Sequence, residues 1–176
     1  LLFDVVGLDD LRIDLEVEET GSTFEENAVL KARQYADVSG ELTLADDSGL
    51  VVDALNGAPG ILSARYGGDG LNDEDRVRLL LENMYDIPGW ERTARFIAVI
   101  ALVGPDVPGG LVTSEGVIEG AIMHEPIGQN GFGYDPVFWI PRRAKTTAQM
   151  SAAEKDAISH RGIALRGMSS TFKALF

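Results

Sequence analysis

The sequence contains no cysteine, so disulfide bonds and thiolate metal sites are excluded. The absence of disulfide bonds fits a cytoplasmic enzyme. It also lacks a long apolar run: the longest, residues 96–103, is far shorter than the roughly 20 residues that span a bilayer. Basic residues are scarce, since 15 Lys and Arg face 28 Asp and Glu, for a formal net charge of −13. This balance argues against a protein that coats nucleic acid, which requires basic patches. A small phosphorylated substrate stays possible, because a few local cations and a metal ion can make a positive pocket.

The 176 residues, 45% of them hydrophobic, fit one globular domain with a substantial core. Periodicity and capping signals predict the following elements. Helices are expected from Thr23 to Ser39, from Asn72 or Asp73 onward, and from Ser159 to Leu175; strands are expected at 42–44, 50–52, 92–103, 111–122 and 137–140. Helices at both ends, with a long hairpin between them, predict an α/β fold around a mixed sheet.

An acidic segment, Ala45-Asp46-Asp47-Ser48-Gly49-Leu50, lies between two short apolar runs. Adjacent Asp side chains on an extended segment point to opposite sides of the chain. Two such charges are costly at close range unless a cation offsets them, and a divalent metal with oxygen ligands commonly does so. The segment is therefore a candidate metal or catalytic site between two strands. The alternative is a polar turn, because Asp, Ser and Gly all favour turns.

A glycine-rich loop, Gly131-Phe132-Gly133-Tyr134-Asp135-Pro136, offers features of a base-binding site. Glycine lets the backbone approach a ligand, an aromatic ring between glycines can stack on a base, and Asp135 could accept hydrogen bonds from its ring N–H groups. The alternative is a turn that packs Phe132 and Tyr134 in the core.

A cationic segment, Ser159-His160-Arg161, lies at the start of the last helix, with Lys155 shortly before it. The first-turn amides and the helix dipole favour an anion there, and Arg161 can bind a carbonyl or phosphate oxygen through several N–H groups. Glu18-Glu19, before the first helix, is a metal-ligand candidate only if the fold brings it to Asp46 and Asp47. Each of these groups could also be an ordinary capping or solvated surface feature.

Taken in order, these segments resemble the inosine triphosphate pyrophosphatase family, also called Ham1-like. The resemblance is carried by Glu19, residues 23–28, Lys31-Ala32, residues 45–50, 57–60, 63–66 and 132–138, Lys155 and residues 159–161. It extends from about residue 18 to the C-terminus. It implies an α/β fold with a long twisted mixed sheet flanked by helices, a cleft between two lobes, and a homodimer.

For function, the resemblance implies magnesium-dependent hydrolysis of the deaminated purine nucleotides ITP, dITP and XTP to monophosphate and pyrophosphate. Asp47 is then the general base and a metal contact, with Asp46 and Glu19 completing the acidic Mg²⁺ environment. Phe132 stacks on the base. The full set of implied substrate contacts is Ser48, Phe132, Gly133, Tyr134, Asp135, Lys155, His160 and Arg161.

Selectivity has a partial explanation in hydrogen bonding. Hypoxanthine and xanthine carry a 6-oxo group that a donor such as Arg161 fits, whereas the amino group of adenine leaves that donor unpaired. Guanine carries the same 6-oxo group, and the sequence does not show which residue excludes its 2-amino group.

Members of this family begin with a strand and a Thr/Ser-x-Asn-x-x-Lys loop that cradles the triphosphate, and the first residues here match neither. We therefore expect residues 1–176 to be a single Ham1-like domain without that strand and phosphate loop. A non-catalytic nucleotide-binding protein is the alternative for that case.

Two other hydrolase classes compete with this assignment. A carboxylate-pair glycosidase needs two carboxylates about 5–10 Å apart and no metal, so magnesium dependence separates it from a pyrophosphatase. A phosphatase of the haloacid-dehalogenase type needs Asp-x-Asp at a strand end, and Asp46-Asp47 lacks that spacing.

Overall fold

The computed structural model describes residues 4–176, which form five helices and one five-stranded sheet together with short 3₁₀ segments. The helices are α1 (Phe24–Ser39), α2 (Asp73–Asn83), α3 (Ala152–Ile158), α4 (His160–Gly167) and α5 (Ser169–Leu175). The strands are β1 (Thr43–Val52), β2 (Thr93–Val103), β3 (Leu111–Ile122), β4 (Phe138–Ile140) and β5 (Lys145–Thr146). None of the helices in this part of the chain is both long and apolar enough to cross a membrane.

The predicted α/β class is confirmed, but the sheet differs from the mixed one that we expected. Its order is β1-β2-β3-β4-β5, and all four pairings among the described strands are antiparallel. Each strand pairs with its successor in the chain and reverses direction, so no parallel crossover is formed. The predicted hairpin of β2 and β3 is present and is the longest pairing in the sheet.

The acidic segment does not lie in a turn between two strands, as the sequence suggested. Residues 43–52 form the continuous strand β1, in which Asp46 pairs with Ile100 and Asp47 with Val99 of β2. Ten consecutive pairings with the apolar strand β2 hold the acidic residues extended, although their local preference is for a turn. Asp46 and Asp47 consequently face opposite sides of the sheet.

Helix α1 lies on the sheet face that carries Asp47. Thr23 caps its first turn by accepting a hydrogen bond from the Glu26 amide at 3.1 Å, as predicted. The Glu26 carboxylate instead accepts from the Ser22 amide at 2.6 Å, so the capping box that the sequence suggested is not completed on Thr23. Ala28 and Ala32 are fully buried in a cluster with residues of β2, and these small side chains let α1 approach the sheet closely.

The last predicted helix is broken into α4 and α5 at Met168. The Met168 amide bonds to the Leu165 carbonyl at 3.1 Å, which tightens the final turn of α4. The Met168 side chain is fully buried in a cluster with Ile100, Leu102 and Ala164. The bend therefore lets the chain continue over the sheet while Met168 fills the core.

Gly116 of β3 sets the distance between the sheet and the start of α4. A Cβ atom at this position would overlap the carbonyl oxygen of His160 and lie 2.5 Å from the Ala164 amide nitrogen. The helix backbone thus rests directly on the strand. Because His160 and Arg161 begin α4, this close contact also fixes their position relative to β1.

We expect Gly116→Ala to lower the free energy of unfolding by about 1–3 kcal/mol, because the added methyl group must push α4 away from β3. Urea titration followed by circular dichroism measures the change. Gly89→Ala is the matched control: a Cβ there meets only the His124 ring, at 3.7 Å, and we expect a change within about 0.5 kcal/mol. Equal stability of both variants would contradict this account of helix packing.

Candidate active site

Asp47 lies under α1 in a small group of charges that we call the α1 carboxylate cluster: Glu19, Lys31 and Asp47. Lys31 Nζ donates to Asp47 Oδ1 at 2.9 Å and to Glu19 Oε1 at 2.8 Å. The fully buried Asn27 donates to Asp47 Oδ2 at 3.4 Å. Arg65 binds the other oxygen of Glu19 at 3.0 Å. Asp47 itself is 6% exposed, so its carboxylate is held by fixed donors more than by solvent.

Burial and pairing shift the proton affinities of this cluster. Burial raises the pKa of Asp47 above its ordinary value, and the hydrogen bond and charge of Lys31 offset this only in part. Burial alone would also raise the pKa of Glu19, but Lys31 and Arg65 hold it below the ordinary value. Burial works against the charged form of Lys31, yet the two carboxylates raise its pKa. Asp47 is thus a stronger base than an ordinary Asp.

On the opposite face of β1, Asp46 is bound to the first turn of α4. Arg161 Nε donates to Asp46 Oδ2 at 2.7 Å. The Arg161 guanidinium lies 5.8 Å from the centre of the Phe132 ring, and Lys155 Nζ lies 4.7 Å from it. The Phe132 side chain is 64% exposed, so its ring is not a core residue but an accessible aromatic surface beside two cations.

Asp135 lies beneath this aromatic surface and is 2% exposed. Its Oδ1 accepts from Thr147 at 2.8 Å, and its Oδ2 accepts from the Phe132 amide at 2.9 Å and from Lys155. Both oxygens are therefore engaged within the protein. Asp135 therefore positions the loop, and the hydrogen bond to the base edge that the sequence suggested would be an additional one, which stays a prediction.

His160 and Tyr134 are also buried. The His160 ring stacks on Phe96 with centroids 4.9 Å apart, and burial, together with the charges of Arg161 and Lys155, lowers the pKa of His160 to about 4. It is therefore a neutral imidazole near pH 7. The Tyr134 hydroxyl donates to the Ser63 carbonyl at 2.9 Å, and burial raises the pKa of that phenol well above its ordinary value.

A cavity of about 200 Å³, which we call the central cavity, brings these groups together. All eight predicted substrate contacts line it: Ser48, Phe132, Gly133, Tyr134, Asp135, Lys155, His160 and Arg161. A second cavity of about 630 Å³ adjoins it and shares Phe132, Lys155, His160 and Arg161. The predicted residues, scattered over more than 100 positions of the sequence, thus surround one connected space.

The predicted metal set is only partly assembled. Glu19 and Asp47 lie together on either side of Lys31, but Asp46 is on the other face of β1 with Arg161. Within residues 4–176, no three His, Asp or Glu side chains are arranged to hold a metal ion. Two carboxylates still suit Mg²⁺, which is usually bound by one or two carboxylates together with substrate phosphates and water.

Three residues of the site were missed by reasoning from residue patterns. Asn27 had no signal beyond its place in the family motif, although it supports Asp47 from a fully buried position. Asp73 accepts from the Gly133 amide at 2.7 Å and so joins α2 to the glycine-rich loop. Arg76, also on α2, lines the central cavity. Asp73 and Arg76 looked like surface residues of an amphipathic helix, and only the packing of α2 reveals their position.

Known proteins that are similar to this chain in sequence belong to one family. A family model described as the Ham1 family matches residues 1–171. The dITP/XTP pyrophosphatase of Exiguobacterium sibiricum is 49% identical over 168 residues, which are 96% of this chain and 84% of that protein. The dITP/XTP pyrophosphatase of Escherichia coli K12 is 48% identical over 163 residues, 93% of this chain and 82% of that protein.

Solved structures of Ham1 proteins are similar to this chain in fold as well as in sequence. The Staphylococcus aureus Ham1 protein superimposes with a TM-score of 0.90 and 43% identity, over 98% of this chain and 88% of that one. A HAM1 protein from Coxiella burnetii gives a TM-score of 0.84 and 46% identity, over 90% of this chain and 81% of that one. Sequence and fold agree over nearly the whole length, and the chain therefore belongs to the Ham1 family.

Proposed function

We propose that this protein is a magnesium-dependent nucleoside triphosphate pyrophosphatase that acts on deaminated purine nucleotides. It hydrolyses ITP, dITP and XTP to the monophosphate and pyrophosphate, and so removes them from the nucleotide pool. It is a hydrolase of phosphoric anhydride bonds, the type of reaction after which its dITP/XTP pyrophosphatase relatives are named.

One observation carries the proposal: consecutive residues of β1 connect a base-sized cavity to a carboxylate cluster. Asp46 is bonded to Arg161 beside the exposed ring of Phe132, whereas Asp47 is bonded to Lys31 beside Glu19. Adjacent Cα atoms are about 3.8 Å apart, so the two regions lie at the same level of β1, although on opposite faces of it. Because β1 is the edge strand among the described strands, a nucleotide that passes around this edge can contact both regions.

The residues of the two regions have distinct tasks. Phe132 stacks on the purine, and the free guanidinium nitrogens of Arg161 donate to its 6-oxo group. Lys155 and the first turn of α4 add positive potential for the phosphates. Asp47, whose pKa burial raises, orients and deprotonates the water that attacks the α phosphorus.

Glu19 and Asp47 would hold Mg²⁺, whose bound form neutralises the charge that develops on the polyphosphate. Lys31 favours the ionised form of both carboxylates and holds them in place. A homodimer, implied by the family resemblance, and a cytoplasmic location, suggested by the absence of cysteine, stay predictions.

The decisive experiment is pyrophosphate release from ITP, dITP, XTP, GTP and ATP, with and without Mg²⁺. We expect turnover of the first three with Mg²⁺, at least about tenfold lower kcat/KM for GTP and ATP, and loss of activity in EDTA. Nucleotide binding without pyrophosphate release would instead support the non-catalytic alternative. Hydrolysis of a glycoside without metal would support the carboxylate-pair alternative.

Asp47→Asn should lower kcat for ITP about a hundredfold or more, because the amide cannot accept the proton of the attacking water. The fold should be retained, since Asn is isosteric and the donors around the position can adapt to it. Asp53→Asn is the matched control: Asp53 pairs with Arg95 at the surface beyond the end of β1, and activity should be unchanged. Full activity of Asp47→Asn would remove this residue as the general base.

Arg161→Ala should reduce the preference for ITP over ATP about tenfold, because the donor that distinguishes a 6-oxo from a 6-amino group is lost. The Mg²⁺ concentration for half-maximal activity should change much less, since Glu19 and Asp47 are untouched. Arg166→Ala, on the exposed side of the same helix, controls for charge removal. An unchanged ratio of ITP to ATP turnover in Arg161→Ala would contradict the proposed role.

A further inference from the structure

Arg76 is the fourth residue of α2, and its side chain forms part of the wall of the central cavity. Residues 73, 76 and 80 follow each other at spacings of three and four, so they share one face of the helix. Leu80 on this face is fully buried in the core, whereas Asp73 meets the Gly133 amide at the cavity rim. Arg76 sits between the core and the rim, where a ligand in the cavity can meet it.

The guanidinium of Arg76 is incompletely paired. Its side chain is 16% exposed, and its one ion pair, Nη1 to Asp73 Oδ1, is long at 3.5 Å. Its Nε is buried without a hydrogen-bond partner, the sole buried side-chain nitrogen or oxygen of which this is true in residues 4–176. A buried donor without an acceptor is unfavourable, so this site gains from a ligand that brings one.

Arg92 shows what a purely structural buried arginine looks like in the same protein. It is 2% exposed, and its guanidinium donates to four backbone carbonyl oxygens, those of Met84, Ile87, Ile122 and Met123. Its hydrogen-bonding capacity is therefore used within the fold. Among the described residues, no such set of carbonyl acceptors surrounds Arg76. Its unpaired donor is therefore not explained by a structural role like that of Arg92.

The neighbouring polar groups on this wall are already engaged. The Tyr134 hydroxyl donates to the Ser63 carbonyl at 2.9 Å. The Ser63 hydroxyl donates to the Gly60 carbonyl at 2.6 Å and accepts from the Leu50 amide at 2.8 Å. Arg76 therefore differs from Tyr134 and Ser63 in having a donor to offer a ligand, and a guanidinium can only donate.

We propose that Arg76 is a specificity-determining residue that donates a hydrogen bond to the oxygen on C2 of a xanthine base in the central cavity. The inference rests on the function proposed above, in which Arg161 donates to the oxygen on C6. Arg161 comes from α4 and Arg76 from α2, so the cavity presents donors on two different walls. Among purines, xanthine carries oxygens at both C2 and C6 and can satisfy both.

The same residue accounts for the exclusion of guanine, which the 6-oxo contact alone leaves unexplained. Guanine carries an amino group on C2, so a donor would face a donor, and the guanidinium of Arg76 would stay unpaired. Hypoxanthine carries only hydrogen on C2 and neither satisfies nor opposes Arg76. The expected order of kcat/KM is therefore XTP above ITP above GTP.

Arg76→Met tests the proposal, because it keeps an unbranched side chain of similar length while removing every donor. We expect the ratio of kcat/KM for XTP to that for ITP to fall about tenfold, and the disadvantage of GTP relative to ITP to shrink. Arg78→Met is the matched control: Arg78 is 65% exposed on the same helix and pairs with Asp75, so all ratios should stay as they are. Thermal unfolding of each variant reports its folding.

The outcomes separate this inference from the function on which it rests. If the unaltered protein hydrolyses neither XTP nor ITP, the proposed pyrophosphatase activity fails. If it hydrolyses both and a folded Arg76→Met keeps the original ratios, Arg76 is not a specificity determinant while the enzyme assignment stands. Arg76→Lys, which keeps the charge but lacks the Nε donor, should also lower the ratio.

A binding measurement on the unaltered protein tests the inference without any substitution. Calorimetric titration with XMP, IMP and GMP should give the tightest binding for XMP and the weakest for GMP. Equal affinities for XMP and IMP would overturn the role of Arg76 even if no variant folds.

Discussion

The alternation of side chains along β1 is the constraint on which the site depends. Successive residues of a strand face opposite sides, so Asp46 and Asp47 cannot share a face while β1 stays paired with β2. Asp46 is bound by Arg161 of α4, and Asp47 by Lys31 of α1. One short stretch of strand therefore joins helices on both sides of the sheet and holds the aromatic region and the carboxylate cluster at the same level of β1, on its two faces.

The charge balance of this arrangement explains why a polyphosphate would need an additional cation. Lys31 and Arg65 are paired with Glu19 and Asp47, whereas Lys155 and Arg161 are paired with Asp135 and Asp46. Each of these four cations already faces a carboxylate. A triphosphate would bring several more negative charges into a protein whose formal net charge is −13. A divalent ion bound by Glu19 and Asp47 would supply the missing positive charge beside the proposed general base.

Short sequence patterns, such as helix caps and alternating apolar residues, predicted much of the fold. The remaining part depends on strand pairing between segments that are distant in the sequence. The Thr23 cap, the end of α1 at Ser39 and the β2–β3 hairpin depend on neighbouring residues and were predicted correctly. The acidic segment was expected between two strands, with a polar turn as the alternative because Asp, Ser and Gly favour turns, yet ten pairings with β2 keep it extended. The eight predicted substrate contacts come from the order of the family motifs, and all of them line the central cavity. Arg76 could not be found in this way, since its role depends on which face of α2 meets the cavity.

Asp135 illustrates how the buried part of the site determines the accessible part. Its carboxylate binds the Phe132 amide, the Thr147 hydroxyl and Lys155, so it fixes the backbone of the aromatic residue and one of the two cations beside the ring. Gly131, with φ of 78°, approaches this carboxylate so closely that a Cβ atom would overlap it. The glycine is therefore needed for the carboxylate to reach the loop. Because a surface aromatic ring is otherwise free to move, stacking on a base is strengthened when its backbone and its flanking charge are fixed beforehand.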